Sequence, residues 1–429
     1  MAKNLCFLLV LFLIAGCSGG GSESPDSTAS QPATGPQAPP QASLIWLSSS
    51  GLFRSHTDGT GRITLDDQPG VSRPVLVSST SIVYTREVNR LRDVWAVQLN
   101  GTGKHVLAND QDDEILRDAF GSWAIYDRSP GELRGNNIWS VSLDGQQAHL
   151  LVAANEQLDQ QFSGFHQGQA AGRAVYLLSC SVLRVDPSCG QLHSILPNGS
   201  DPRQLTVDSF IPFIGGHVGN RLIYSQFSST EAIDRDILSV PVTGGPPTPL
   251  ANSQDYESER ADLITGSRVV YHRCVVRPPS SFVGQCDVYS VNGDGSGTIA
   301  LSTHPDNERV QGLIGSRVIV RRNSGATDTL FSIPAGGGAE TPMLTIDAQT
   351  EFVVGIVEDR VILRRPTGLW SLRADGESLT QLTNQVDELA GSAGEFVCFA
   401  RGQTLWCVPA DGSAEPTQVT DNGVFVEGL

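Results

Sequence analysis

The sequence predicts an all-β fold, a single closed β-propeller of four-stranded blades spanning residues 43–429. Three observations carry this expectation. A glycine in a turn setting recurs at Gly59, Gly101, Gly145, Gly199, Gly244, Gly295, Gly337, Gly376 and Gly412, at intervals averaging about 44 residues. Eight of the nine residues that precede these glycines are Asp, Asn or Gly, which favours a tight turn with positive φ. Six positions before each glycine the chain carries Phe53, Trp95, Trp139, His193, Leu238, Tyr289, Phe331, Trp370 or Trp406, so seven of nine are aromatic where aromatics form only 7% of the chain. A repeat of roughly 40–45 residues with four short strands is the period of a propeller blade. The count returns nine blades, with eight as the fallback if one degenerate unit is extruded.

Within a unit the elements follow in order. The glycine-bearing segment Arg309–Ile314 is a first, innermost strand, and Arg317-Val318-Ile319-Val320 reads as the second. The aromatic position marks the third, and Thr380-Gln381-Leu382-Thr383 or Thr417-Gln418-Val419-Thr420 mark the fourth. One blade cannot cover both faces of its own sheet, so the recurring aromatics are expected to pack between neighbouring blades rather than to form a ligand cage. The first unit begins at its second strand, Leu44 to Leu47, and the tail Gly423-Val424-Phe425-Val426-Glu427-Gly428-Leu429 mirrors the innermost strand Phe352-Val353-Val354-Gly355-Ile356. The C-terminus is therefore expected to pair with the first blade and close the ring, which removes exposed strand edges.

Composition sets outer limits. The 429 residues hold 45 Gly, 24 Pro and 17% charged residues, a loop- and strand-rich balance that argues against coiled coil, helical bundle or general disorder. A net charge of −17 without a basic tract argues against nucleic-acid binding.

The N-terminus reads as an address. Lys3 precedes an unbroken apolar run, Cys6 to Ile14, too short for a mature membrane span and suited to a signal peptide over residues 1–16. Ile14-Ala15-Gly16-Cys17 resembles the bacterial lipobox, which implies lipidation of Cys17. Residues 17–42 then form a Ser/Gly/Pro tether able to reach on the order of 70–80 Å. An ordinary secretory signal with a chance cysteine is the rival reading. With a lipid anchor the chain is a cell-envelope lipoprotein bound to a lipid bilayer. Ser18, rather than aspartate, after Cys17 implies the outer membrane if the host is Gram-negative.

The repeat itself resembles the TolB-like propellers built from WD40-like (PD40) units. The resemblance is carried by aromatic–x–x–x–x–Asp-Gly followed by Leu-Thr, clearest in Trp370 to Gly376 with Leu382-Thr383. It departs where that family often carries Ser-Pro-Asp-Gly between the first two strands, because Gly-x-Arg stands there instead (Gly266-Ser267-Arg268, Gly315-Ser316-Arg317).

With Cys6 removed and Cys17 lipidated, six cysteines remain, and six permit fifteen pairings. Repeat alignment suggests Cys180 with Cys189, Cys274 with Cys286, and Cys398 with Cys407, each bracketing the connection between second and third strands of one blade. Zinc is the rival, but CxxC spacing is absent.

Chemistry is hard to find. The chain lacks Gly-x-Ser-x-Gly, HExxH, P-loop and dinucleotide motifs, and no cofactor is expected. Residues 293–297 and 109–114 have a calcium-like look, although the first lies on a repeat turn and the second reads as a solvated acidic loop. His166, His217, Asp118 and Asp262 fall on innermost strands as channel candidates, with Glu351, Glu388 and Glu427 on others. The expected function is a non-catalytic scaffold that binds an envelope protein or an extracellular ligand. The alternative is a periplasmic or surface lyase or hydrolase using a channel-bound divalent metal.

Overall fold

A computed structural model describes residues 42–129, 137–153, 163–179, 191–207, 213–227, 235–252, 257–276 and 283–428. The signal segment, Cys17 and the tether lie outside these residues, as do Cys180, Cys189 and residues 130–136 and 277–282. All thirty-six elements among the described residues are strands. They form nine antiparallel blades of four, so the count of nine holds and the fallback of eight falls away. Blade 1 comprises residues 43–66 and Val424–Gly428; blades 2 to 9 span 71–108, 113–152, 163–204, 213–251, 257–302, 307–347, 352–383 and 388–420. A single parallel bridge, Arg235 to Ser258, links blades 5 and 6 into one eight-stranded path.

The ring closes as the sequence implied. The C-terminal strand Val424–Gly428 pairs with Ser43–Ser48, placing Leu44 opposite Gly428, Trp46 opposite Phe425 and Leu47 opposite Val424. Phe425 also fills the space over Gly391 in blade 9, where an added Cβ would lie 2.3 Å from its ring.

The core is not central. Buried apolar residues of the described chain fall into nine clusters, and each joins two consecutive blades, from blades 1 and 2 around to blades 9 and 1. The repeated aromatic position takes part in this packing: Trp95, Trp139, Tyr289, Phe331, Trp370 and Trp406 all lie in or against such a cluster. All nine repeat glycines have positive φ, as the turn reading required. Two also show why a side chain is barred there. A Cβ at Gly101 would sit 2.8 Å from the Thr64 carbonyl oxygen, and at Gly376 2.9 Å from the Met343 Cα, both on the outer strand of the preceding blade.

A polar device supplements the apolar one. The residue after the repeat aromatic position, occupied by Leu238 in blade 5, is a fully buried serine in several blades, Ser239, Ser290 and Ser332 among them. Their hydroxyls donate to backbone carbonyls of the next blade, Gly293 at 2.8 Å, Ala335 at 2.7 Å and Ala374 at 3.0 Å. Each hydroxyl accepts in turn from the arginine that opens the second strand of its own blade: Arg221 at 3.0 Å, Arg268 at 3.1 Å and Arg317 at 3.0 Å. Ser194 makes the same bridge to Val242 and accepts from Arg173. The Gly-x-Arg that replaces the expected turn thus supplies a charge-assisted donor. Its cation polarises the hydroxyl that ties one blade to the next.

Strand direction gives the disc two unlike faces. First-to-second and third-to-fourth hairpins form a turn face, carrying Asp58, Asp144, Asp294, Asp375 and Asp411. Second-to-third hairpins and the blade-to-blade connections form the opposite, connector face. Ala42 lies on the turn face, its carbonyl accepting from Thr57 N at 3.0 Å.

Candidate functional site: the connector-face mouth of the channel

Innermost strands contact one another from blade to blade and so line the channel. Every blade breaks its inner-strand register at a bulge, for example between Ile214 and Gly216, Val310 and Gly312, or Val353 and Gly355. The bulges give a common level from which residues in different blades can be aligned. His166 stands one residue before its bulge and His217 two residues after, a separation of roughly 10 Å along parallel strands at 3.3 Å per residue. The register therefore does not bring the two histidines to one level; the His166 side chain lies outside the described atoms. His217 is exposed near the turn face, with Nδ1 3.3 Å from the Gly219 carbonyl.

The carboxylates are similarly dispersed. Asp118 accepts from the Ala119 amide at 2.8 Å, and burial pushes its carboxyl above the usual range. Asp262 is the bulge residue of blade 6 and lies 2.8 Å from Nδ1 of His272 on the adjacent strand. Glu351 immediately precedes the inner strand of blade 8 and pairs with Arg365; Glu388 is exposed at the start of that of blade 9. Glu427 lies on the closing strand, its side chain outside the described atoms. Among the described residues no three His, Cys, Asp or Glu side chains are grouped to hold a metal ion.

Both calcium-like stretches have other occupants. In 109–114, Arg128 reaches Asp110 and Asp112 while Arg92 clasps Asp113. On the repeat turn, Asp294 accepts from the amide and hydroxyl of Ser296 at 2.9 and 2.7 Å. Two of the three cysteine pairs are disulfides, Cys274–Cys286 and Cys398–Cys407, each joining directly opposed residues of second and third strands.

Sequence reasoning missed a repeated glutamate–arginine pairing on the connector face. Glu114, Glu259, Glu308 and Glu351 lie fourteen residues before Arg128, Arg273, Arg322 and Arg365. The acids are buried, and each guanidinium stacks on the repeat aromatic of its own blade: Trp139 at 5.4 Å, Tyr289 at 4.9 Å, Phe331 at 4.2 Å and Trp370 at 5.3 Å. The constant Glu-to-Arg spacing was the available signal. Where the partner is distant, as with Arg128 at 4.0 Å, burial dominates: desolvation, reinforced by Asp110, pushes the Glu114 carboxyl up to about 8.

The same face carries most of the exposed apolar bulk. Among the described residues seven large hydrophobic side chains are exposed, and six lie here: Leu91, Val207, Phe213, Val275, Phe352 and Val424. Three of these, Phe213, Phe352 and Val424, occupy one repeat position, two residues before the bulge at the mouth of the channel. The equivalent residues of blades 6 and 7 are Arg260 and Arg309, both exposed. A pocket of about 340 Å³ on the turn face is lined by Arg317, Thr341, Asp359, Arg373, Ala374 and Asp375. Arg373 lies 3.5 Å from both Asp359 and Asp375, and Arg317 donates to Ser332 and Thr341.

The architecture defines a nine-bladed β-propeller with an apolar, arginine-bearing channel mouth on one face. No protein-family model matches the chain, and no curated protein matches it in sequence. Similar solved structures include a prolyl endopeptidase (9% identity, TM-score 0.45, 84% of this chain and 50% of that one). Oligopeptidase B from Trypanosoma brucei is similar at 9% identity and a TM-score of 0.44, over 83% of this chain and 49% of that one. A puromycin-hydrolyzing peptidase of Mycobacterium tuberculosis follows at 12% and 0.38, over 77% and 57%. The chain spans about half the length of the structures it matches. At these identities the likeness is one of architecture alone.

Proposed function

We propose that this chain is a cell-envelope lipoprotein, anchored through Cys17 and related to the TolB-like propellers, whose propeller is a non-catalytic scaffold that binds a partner through the connector face. The observation that carries this reading is the one-sided exposure of apolar side chains, six of the seven among the described residues. A large apolar side chain left in water forgoes about 1.5–3 kcal/mol of burial. Three of the six, Phe213, Phe352 and Val424, share one level at the channel mouth, which makes the mouth a surface suited to contact. Ala42, the first described residue, lies on the turn face, the face opposite the connector face.

Site-specific photo-crosslinking in intact cells tests the reading. A crosslinker at Phe352 or Val424 is expected to give discrete adducts, and one at Asp375 on the turn face is not. Adducts confined to the turn face would overturn it. Cys17→Ala is expected to move the protein from the membrane to the soluble fraction; unchanged fractionation would refute the anchor.

A further inference from the structure

We propose that the connector-face mouth of the channel binds an acidic peptide segment, with Arg260 and Arg309 taking its carboxylates and Phe213 and Phe352 flanking them with apolar surface. The proposal rests on the reading of the connector face as the binding face and adds the chemistry of what is bound.

The four residues hold one repeat position on four consecutive blades, 5 to 8. At this position the inner strand has just left the connector face, and the side chains are solvent-exposed, Phe213 at 48% and Phe352 at 43%. An aromatic, two cations and an aromatic therefore follow one another along an arc of the mouth. An arc across four blades suits an extended chain bearing several groups rather than one small anion.

The arginines are uncommitted although carboxylates are close in sequence. Glu259 precedes Arg260 but turns inward to Arg273 at 3.0 Å; Glu308 precedes Arg309 but turns inward to Arg322 at 2.8 Å. Among the described residues neither Arg260 nor Arg309 has a carboxylate partner. The alternation of strand side chains sends the acid into the blade and leaves the adjacent cation at the surface. This happens in a chain of net charge −17, where exposed unpaired cations stand against the general field.

Further positive charge gathers at the same spot. Arg235, which opens the third strand of blade 5, lies over the Phe213 ring at 4.6 Å. Burial and the charge of Arg260 hold its pKa below the usual guanidinium range, so the two cations lie within electrostatic reach of one another. Among the described side chains at this level the acid is Glu388, on blade 9 beyond Phe352. Guanidinium pairs favour carboxylates through paired N–H donors, and exposed rings favour apolar side chains between them.

The test uses the full-length protein in detergent and a fluorescein-labelled octapeptide of alternating leucine and glutamate, with its leucine–glutamine counterpart as control. The acidic peptide is expected to bind at least tenfold more tightly than the control and to weaken as salt screens the charges. Arg260→Gln with Arg309→Gln is expected to lose about tenfold per arginine, with an unchanged urea midpoint because both side chains are exposed. Phe213→Ala is expected to weaken both peptides alike. Equal binding of the two peptides, or full binding by the double glutamine variant, would overturn the proposal. Tighter binding of an oligogalacturonate would overturn the peptide as occupant. Crosslinks from Phe352 alongside equal peptide binding would sink this inference while sparing the binding face; crosslinks from the turn face alone would remove both.

Discussion

Replacing Ser290 by alanine probes the inter-blade relay directly. The Ser290 hydroxyl is fully buried, donates to the Ala335 carbonyl of blade 7 at 2.7 Å, and accepts from Arg268 Nε at 3.1 Å and Nη2 at 3.0 Å. Arg268 keeps other acceptors in the variant, Asn292 Oδ1 at 3.0 Å and Gly297 O at 2.7 Å. The loss is therefore one buried hydroxyl–carbonyl bond, the two charge-assisted contacts from Arg268 Nε and Nη2 to the hydroxyl, and the solvation of a carbonyl left short of a donor. A buried group stripped of its partner costs about 1–3 kcal/mol, and the retained arginine contacts place the expectation near ~2 kcal/mol. Urea unfolding followed by tryptophan fluorescence reads the shift in midpoint, with Ser296→Ala, on an exposed turn, expected to stay within about 0.5 kcal/mol. Because the relay crosses a blade boundary, amide exchange between blades 6 and 7 should accelerate more than that between blades 2 and 3. The effects of Ser290→Ala and Arg268→Gln should also fall short of additive, since they share a bond. A Ser290→Ala midpoint no different from the Ser296→Ala control, with uniform exchange, would refute the relay.

Two other measurements bear on separate parts of the structure. Burial, reinforced by Asp110, pushes the Glu114 carboxyl up to about 8 from the ordinary glutamate range, so between those limits the folded state holds a proton that the unfolded state has released. Stability from this group is then present at pH 4.5 and declines as pH rises towards 8, by on the order of 1 kcal/mol per unit at most. Glu114→Gln is expected to match the parent near pH 5 and exceed it at pH 8; parallel pH profiles would contradict the assignment. The disulfides close loops with sequence separations of 12 and 9, so removing either as a double alanine variant is expected to cost about 2–3 kcal/mol. Non-reducing peptide mapping should recover both, together with Cys180–Cys189 as the third pair.

The candidate site was less legible than the fold. Aligning units by their glycines placed His166 and His217 on inner strands, which is where their backbones lie, but spacing alone did not reveal their different levels. Those levels depend on where each bulge falls, and a bulge shifts the pairing by one residue without changing the repeat length. The acidic run 109–114 read as a solvated loop, whereas Arg128 from the next strand and Arg92 from the preceding blade pair with its carboxylates. Arg260 and Arg309 each follow a glutamate in the chain, so sequence alone does not mark either as an unpaired cation.

The sequence by itself determined the blade number, the strand order and the closing of the ring, because each follows from local rules repeated nine times: a glycine that admits positive φ, an aromatic at fixed distance, and a tail shaped like a missing strand. Tertiary structure alone decided which charges are spent and which remain. Whether a glutamate meets an arginine fourteen residues away or the one beside it depends on which side of the strand each faces, and only the packed blade fixes that choice. Where the packed arginine reaches the inward acid, as Arg273 reaches Glu259 and Arg322 reaches Glu308, the pairing offsets the desolvation cost and leaves the outward arginine to the mouth of the channel.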